Sequence, residues 1–173
     1  HGDLQLGDVG LWHGKPGPVD ALEVDEARAT SDLGYDLAFM MMDLEHRIGR
    51  AAANRVLNRY VARTGDAAFG RGLPAFLSMR ALVRAHVAAR SGQEESGRSY
   101  LGLAIAYLSP DPSVVLVVGG LPGTGKSTLA RDLAPGLGPA PGALVVRSDE
   151  IRKRLFGVAP EERLPAKAYT PEV

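Results

Sequence analysis

Gly120-Leu121-Pro122-Gly123-Thr124-Gly125-Lys126-Ser127 fits the pattern G-x-x-x-x-G-K-[ST] at every fixed position. A polyphosphate needs several backbone N–H groups aimed into one concavity, and glycines permit the turns and the close approach this requires. Lys126 adds a point charge for the outer phosphates, and the Ser127 hydroxyl is a hard oxygen ligand suited to Mg²⁺. The following helix, with Thr128 in its first turn, offers its N-terminus to the anion. Further on, an apolar run ends in Arg147-Ser148-Asp149-Glu150-Ile151-Arg152. In an open α/β sheet the ligand crevice lies beyond the C-terminal strand ends. Asp149 is therefore expected beside the phosphate loop, where a carboxylate can orient an acceptor hydroxyl and take its proton. Arg152, one turn later, is expected to hold an anionic part of the substrate.

The elements that must position these groups are legible in the periodicity. Val114–Val118 reads as a fully buried strand, Gly119–Gly125 as a loop, and Lys126–Leu133 as a helix ended by Pro135-Gly136. Leu144–Arg147 reads as a second strand, and Ser148 as the cap of a helix reaching Phe156. The tail 157–173 carries prolines and is expected to be irregular. Before the phosphate loop the pattern is helical. Leu33, Leu37, Met40, Met41 and Leu44 recur at helix spacing, as do Val56, Leu57, Tyr60 and Val61 in a second helix. Thr64-Gly65-Asp66 breaks that helix, Leu73–Ala89 forms a third, Ser91–Gly97 is a polar loop, and a fourth runs to about Leu108. Residues 4–24 read as a β-hairpin turning at His13–Gly17, with Trp12 packed against it. The linker Ser109-Pro110-Asp111-Pro112 divides the chain into residues 1–108 and 113–173. The fold class expected is α/β.

Two resemblances follow from these motifs. Residues 113–156 resemble the small P-loop kinases of the gluconate-kinase, polynucleotide-kinase and zeta-toxin group, through the P-loop and the Asp149-x-x-Arg152 after the second strand. That resemblance implies Mg²⁺-dependent phosphoryl transfer from ATP to a hydroxyl, with Asp149 as base and Arg152 as substrate clamp. His1-Gly2-Asp3-Leu4, Asp20 and Tyr35-Asp36-Leu37-Ala38 resemble the catalytic loop, the metal-binding acid and a helix start of aminoglycoside phosphotransferases and choline-kinase-like proteins. Carried over, Asp3 would be a base, Asp8 and Asp20 Mg²⁺ ligands, and Asp36 a support of the loop. Position 8 is Asp where that family has Asn, and Asp20 is followed by Ala21-Leu22-Glu23 rather than the usual Phe-containing pair. Together the halves resemble bacterial proteins in which an aminoglycoside-phosphotransferase-like lobe precedes a P-loop kinase or ATPase domain. The expected architecture is a mainly helical kinase-like C-lobe with a β-hairpin, followed by an incomplete P-loop parallel-sheet domain. The sequence opens inside a catalytic-loop motif and stops soon after the second strand–helix unit, so a piece of a longer protein is expected.

Composition narrows the functional classes. Lys and Arg number 20 and so do Asp and Glu, which disfavours a strongly basic nucleic-acid binder. The absence of cysteine excludes disulfides and thiolate metal sites and fits a reducing cytoplasm. No apolar run is long enough to span a membrane. Without an Asn-Lys-x-Asp motif a GTPase is disfavoured. The expected partners are ATP, Mg²⁺ and a small-molecule acceptor whose identity the residues do not reveal. A non-transferring nucleotide switch, or a phosphotransferase centre within residues 1–110, remain the alternatives. Met40-Met41-Met42 reads as core, Arg55, Arg59 and Arg63 as a solvated helix face, and His46 and His86 as isolated.

Overall fold

The computed structural model of the chain describes residues 1–21, 32–109, 111–159, 161–165 and 168. Asp32 starts the first long helix, α1 (Leu33–Arg47): its carboxylate accepts the Gly34 amide at 2.7 Å, pairing an N–H that a helix start otherwise leaves open. α2 (Arg50–Thr64) ends where Gly65 takes left-handed backbone (φ +77) and returns its N–H to the Val61 carbonyl. α3 (Leu73–Arg90) accommodates Pro74 in its first turn. α4 (Glu94–Tyr107) carries Glu94 and Glu95 where the helix dipole favours negative charge.

α1 packs on α2 and α3, and α3 packs on α4. Phe39, Met41, Met42 and Leu77 are fully buried between them, with Leu57, Val61, Tyr100 and Tyr107 closing the core. The methionines thus serve as core, as their helix spacing predicts. The buried Ser78 hydroxyl donates to the Ala104 carbonyl at 2.9 Å, which ties α3 to α4 without an unpaired polar group.

Several local expectations are corrected. The hairpin is tighter than expected: β1 (Val9–Trp12) and β2 (Lys15–Pro18) pair antiparallel with Trp12 opposite Lys15, leaving His13-Gly14 as the turn. Both turn residues have positive φ, the primed geometry that matches strand twist. The return strand stops at Pro18, and residues 22–24 of the expected hairpin lie outside the described residues. Trp12 is exposed and meets only the edge of His13, rather than packing into a core. α4 begins inside the expected polar loop, because Glu94 and Glu95 suit a first turn.

The larger correction concerns the parallel sheet. Among the described residues the sheet is the single antiparallel pair β1–β2. Val114–Val118 has no ladder partner there, and Val115 and Val117 are 94% and 85% exposed, the opposite of a fully buried strand. A strand buried on both faces needs paired neighbours and covering helices, which the described residues do not provide along this run. Leu144–Arg147 also lacks a ladder, and its leading end is half-buried against α2. α5 (Lys126–Leu133) forms as expected and ends in a single 3₁₀ turn, Ala134–Gly136, that packs on α2. α6 (Ser148–Leu155) starts one residue earlier than expected, with Arg147 in the cap position and no side-chain cap. Of the tail, residues 157–159, 161–165 and 168 are largely irregular, and the rest lies outside the described residues.

Candidate functional site

The loop before α5 has the backbone its glycines predict. Gly120, Gly123 and Gly125 all have positive φ, at +149, +79 and +81, conformations that a side chain would strain. Gly125 is the residue from which α5 springs. The Leu121 carbonyl is the loop's internal anchor. It accepts from the Thr124 hydroxyl at 2.8 Å, from the Thr124 amide at 3.4 Å, and from the Lys126 ammonium. The ammonium therefore folds back over the loop it must serve. Residues 121–125 are exposed, while Lys126 and Ser127 are half-buried at the helix start.

A cavity of about 550 Å³ reaches from Lys126 and Ser127, at the start of α5, to the second segment singled out in the sequence, and residues 119–125 are not among those that line it. Lys126, Ser127 and Asp149 all line it, with Arg147 and Ser148 beside them and the aliphatic run Val114–Leu116 opposite. Asp149 thus shares a cavity with Lys126 and Ser127. Asp149 forms an ion pair with Lys153, one turn along α6, at 3.2 Å. Glu150 pairs with Arg147 at 2.7 Å. Arg152 is half-buried and is not among the residues lining this cavity. The acids at the N-terminus of α6 and the cations at its C-terminus complement the helix dipole, which stabilises a helix of only two turns.

The acids of the opening segment lie elsewhere and do not line that cavity. Asp3 is half-exposed and meets the buried Arg80 guanidinium at 3.4 Å. Asp8 accepts the Gln5 amide at 3.1 Å within a 3₁₀ turn, Leu6–Asp8. Asp20 is exposed, with positive φ, just past β2. The two stretches do converge: the His1 ring meets the Val19 carbonyl at 2.7 Å, and the Val19 amide donates to the Asp8 carbonyl at 2.7 Å. Asp36 accepts the Leu4 amide at 3.1 Å. Among the described residues no three His, Asp or Glu side chains converge as a metal site.

Sequence reasoning missed the residues that hold these segments in place. Arg80 donates to the Gly2 and Tyr35 carbonyls at 2.8 and 3.3 Å, and its guanidinium lies 3.9 Å from the Tyr35 ring centre. Buried Asp43 accepts the Leu6 amide at 3.1 Å and pairs with Arg47 at 2.7 Å. On α2, Asn54 and Asn58 bind the backbone of residues 143–145. A charged residue on an otherwise apolar helix face was the available signal for Arg80 and Asp43. The asparagines carried none. Arg55, Arg59 and Arg63 form an exposed face, on which Arg59 and Arg63 pair with the exposed Glu161 at 2.6 and 3.2 Å. His46 stacks on Tyr100 and meets Ser99 at 3.1 Å.

Among known proteins, residues 115–173 match the family described as an AAA domain. The chain is 35% identical over 161 residues to the uncharacterized proteins Mb2027c of Mycobacterium bovis and Rv2004c of Mycobacterium tuberculosis, an alignment that takes in 90% of this chain and 32% of each relative. The chain thus spans about a third of the length of these curated relatives. No solved structure matches it. The segment matching the AAA domain contains the whole Gly120–Ser127 motif, which supports nucleotide binding of the P-loop kinase or ATPase type. No described helix is long and apolar enough to cross a membrane.

Proposed function

We propose that this chain forms the nucleotide-binding part of an ATP- and Mg²⁺-dependent phosphotransferase that acts on a small-molecule hydroxyl. The observation that carries the reading is the shared cavity: Lys126 and Ser127 at the phosphate loop and Asp149 beyond it line one space of about 550 Å³, a volume suited to a small ligand. The match of residues 115–173 to the AAA domain family supports the nucleotide half of the reading. Residues 113–173 would form the N-terminal part of a P-loop kinase domain, and residues 1–108 a helical region of kinase-like descent joined to it.

The residues present fit the nucleotide. Gly120, Gly123 and Gly125 offer main-chain N–H groups on backbone that only glycine adopts easily, and the Lys126 ammonium needs only to exchange the Leu121 carbonyl for a phosphate oxygen. Ser127, in the first turn of α5 with Thr128 after it, would hold Mg²⁺ through its hydroxyl, and the bound ion would supply charge neutralisation of the polyphosphate. Asp149 orients the acceptor hydroxyl and takes its proton as the new O–P bond forms. The bond from the γ-phosphorus to the bridging oxygen breaks, and ADP departs with that electron pair. Lys153 steadies the Asp149 carboxylate through their 3.2 Å pair. Arg152 would meet an anionic acceptor entering over α6.

Asp149→Asn in the intact protein tests the reading. ATP affinity should stay within about threefold, while acceptor-stimulated transfer should fall about 10²- to 10⁴-fold, the usual worth of a general base. Transfer at the parental rate would remove Asp149 from the chemistry. ATP hydrolysis that no hydroxyl compound stimulates would favour a nucleotide switch instead.

A further inference from the structure

The backbone of residues 143–145 is held by side chains where a sheet would use a neighbouring strand. Asn58 on α2 accepts the Val145 N–H through Oδ1 at 2.6 Å and donates from Nδ2 to the Ala143 carbonyl at 3.2 Å. The carbonyl of one residue and the amide two residues on point to the same edge of an extended chain, so one carboxamide meets both groups as a residue of an adjacent strand would. Asn54, one turn earlier and 3% exposed, reinforces the arrangement. Its Nδ2 donates to the same Ala143 carbonyl at 3.1 Å, and its Oδ1 accepts from Asn58 Nδ2 at 3.0 Å, which fixes how the Asn58 amide points. Gly142 makes the approach possible: it has φ +112, and a Cβ there would lie 2.9 Å from Asn54 Nδ2 and closer still to the backbone of Ala134 and Pro135. At the start of α2, Arg50 donates to the Gly138 carbonyl at 2.6 Å.

Val145 lies only four residues before Asp149, and nothing but Val146, Arg147 and Ser148 intervenes. A segment that slipped by one residue would carry Asp149 about 3.3 Å along the strand direction. Misplacement of about 1 Å is enough to cost about 10²-fold in rate. We propose that Asn58, locked by Asn54, is a positioning residue: it holds the backbone edge of residues 143–145 and so sets where Asp149 stands relative to Lys126 and Ser127. The helical region is then a working part of the phosphoryl-transfer site, because α2 holds the segment that bears its base. This inference rests on the reading of Asp149 as that base.

The experiment uses the intact protein with ATP, comparing Asn58→Leu, which keeps the volume but makes neither hydrogen bond, and Asn58→Asp, which keeps the acceptor for Val145 N–H and loses the donor to Ala143. Three quantities are read well below the melting temperature of each variant: ATP affinity, ATP turnover at saturation, and hydrogen exchange at the Val145 amide. Asn58→Leu should leave ATP affinity within about twofold, lower turnover about 10- to 100-fold, and expose the Val145 amide to exchange. Asn58→Asp should fall between Asn58→Leu and the parent in both turnover and exchange. Turnover per folded molecule equal to the parent's, or a Val145 amide as protected as before, overturns the proposal. If Asn58→Leu fails to fold, Asn58→Asp alone decides by the same criteria. Asp149→Asn run in parallel separates the two failures. Full turnover in Asp149→Asn removes the base and the inference with it, whereas loss there beside full turnover in the Asn58 variants removes the inference only.

Discussion

Arg80 is the residue on which the opening segment depends. It is 5% exposed, yet its guanidinium meets the Gly2 and Tyr35 carbonyls and the Asp3 carboxylate, and lies over the Tyr35 and Phe39 rings. Arg80→Met would keep the stem but leave buried acceptors unpaired, and should cost about 3 kcal/mol of stability. Denaturant unfolding checks this; a change below about 1 kcal/mol would mean that water satisfies those groups equally well. Arg80 also marks the limit of what sequence can disclose about residues. The phosphate loop was legible because its geometry is local: glycines and a lysine at fixed spacing dictate a nest by themselves. Arg80 is useful only through Gly2 and Asp3, which lie far away along the chain. Asp43 is the same case, since its partner amide belongs to Leu6. Lys153 was within reach, one turn from Asp149, but sequence favoured Arg152 because a motif included it.

Among the elements, helices were read well and strands poorly, for a physical reason. The apolar period of α1, the break at Gly65 and Pro74 in the first turn of α3 act within a few residues, so each helix carries its own evidence. A strand is completed by partners elsewhere. Val114–Val118 has the composition of a buried strand, but only neighbours can bury it. Leu144–Arg147 illustrates the same dependence differently, because its leading edge is satisfied by asparagines of a helix. The contact between α1 and α4 also makes a prediction about pH. His46 is held between them, stacked on Tyr100 with ring centres 4.0 Å apart. Burial lowers its pKa from the ordinary 6.5; Asp43 opposes that shift, and Arg47 and Arg84 add to it. The unfolded chain therefore takes up the proton first as pH falls, so the folded state is fully favoured above about pH 6.5 and loses stability below it. Glu45, raised above 4.5 chiefly by burial, acts with the opposite sign: the folded state keeps a proton that the unfolded chain has released, so its contribution weakens as pH rises from 4.5. His46→Gln isolates the histidine. Its urea midpoint should change less than the parent's between about pH 7.5 and about pH 5.5, and equal changes in the two proteins would refute the assignment.

At the scale of the whole molecule, α2 is the joint. Arg50 reaches Gly138, Asn54 and Asn58 hold residues 143–145, and Arg154 of α6 donates to the Val61 carbonyl while its stem lies against Gly65. The prolines of residues 109–112 suggest a linker from sequence alone, but the contacts between residues on either side of it leave no such mark. They join side chains to backbone, and backbone leaves no imprint on residue type except at Gly142. The helical region thus carries the segment bearing Asp149, while α5 carries the phosphate loop. Nucleotide and acceptor are proposed to meet in the cavity lined by Lys126, Ser127 and Asp149, with the Gly120–Ser127 loop binding a nucleoside triphosphate through its main-chain amides and the Lys126 ammonium. Calorimetric titration of ATP into the intact protein and its Lys126→Ala variant measures this directly. The parent should bind ATP, and the variant should bind about 10- to 100-fold more weakly, as expected when a charge-assisted hydrogen bond of about 1.5–3 kcal/mol is lost. Equal affinities, or a parent protein that takes up no ATP, would contradict it.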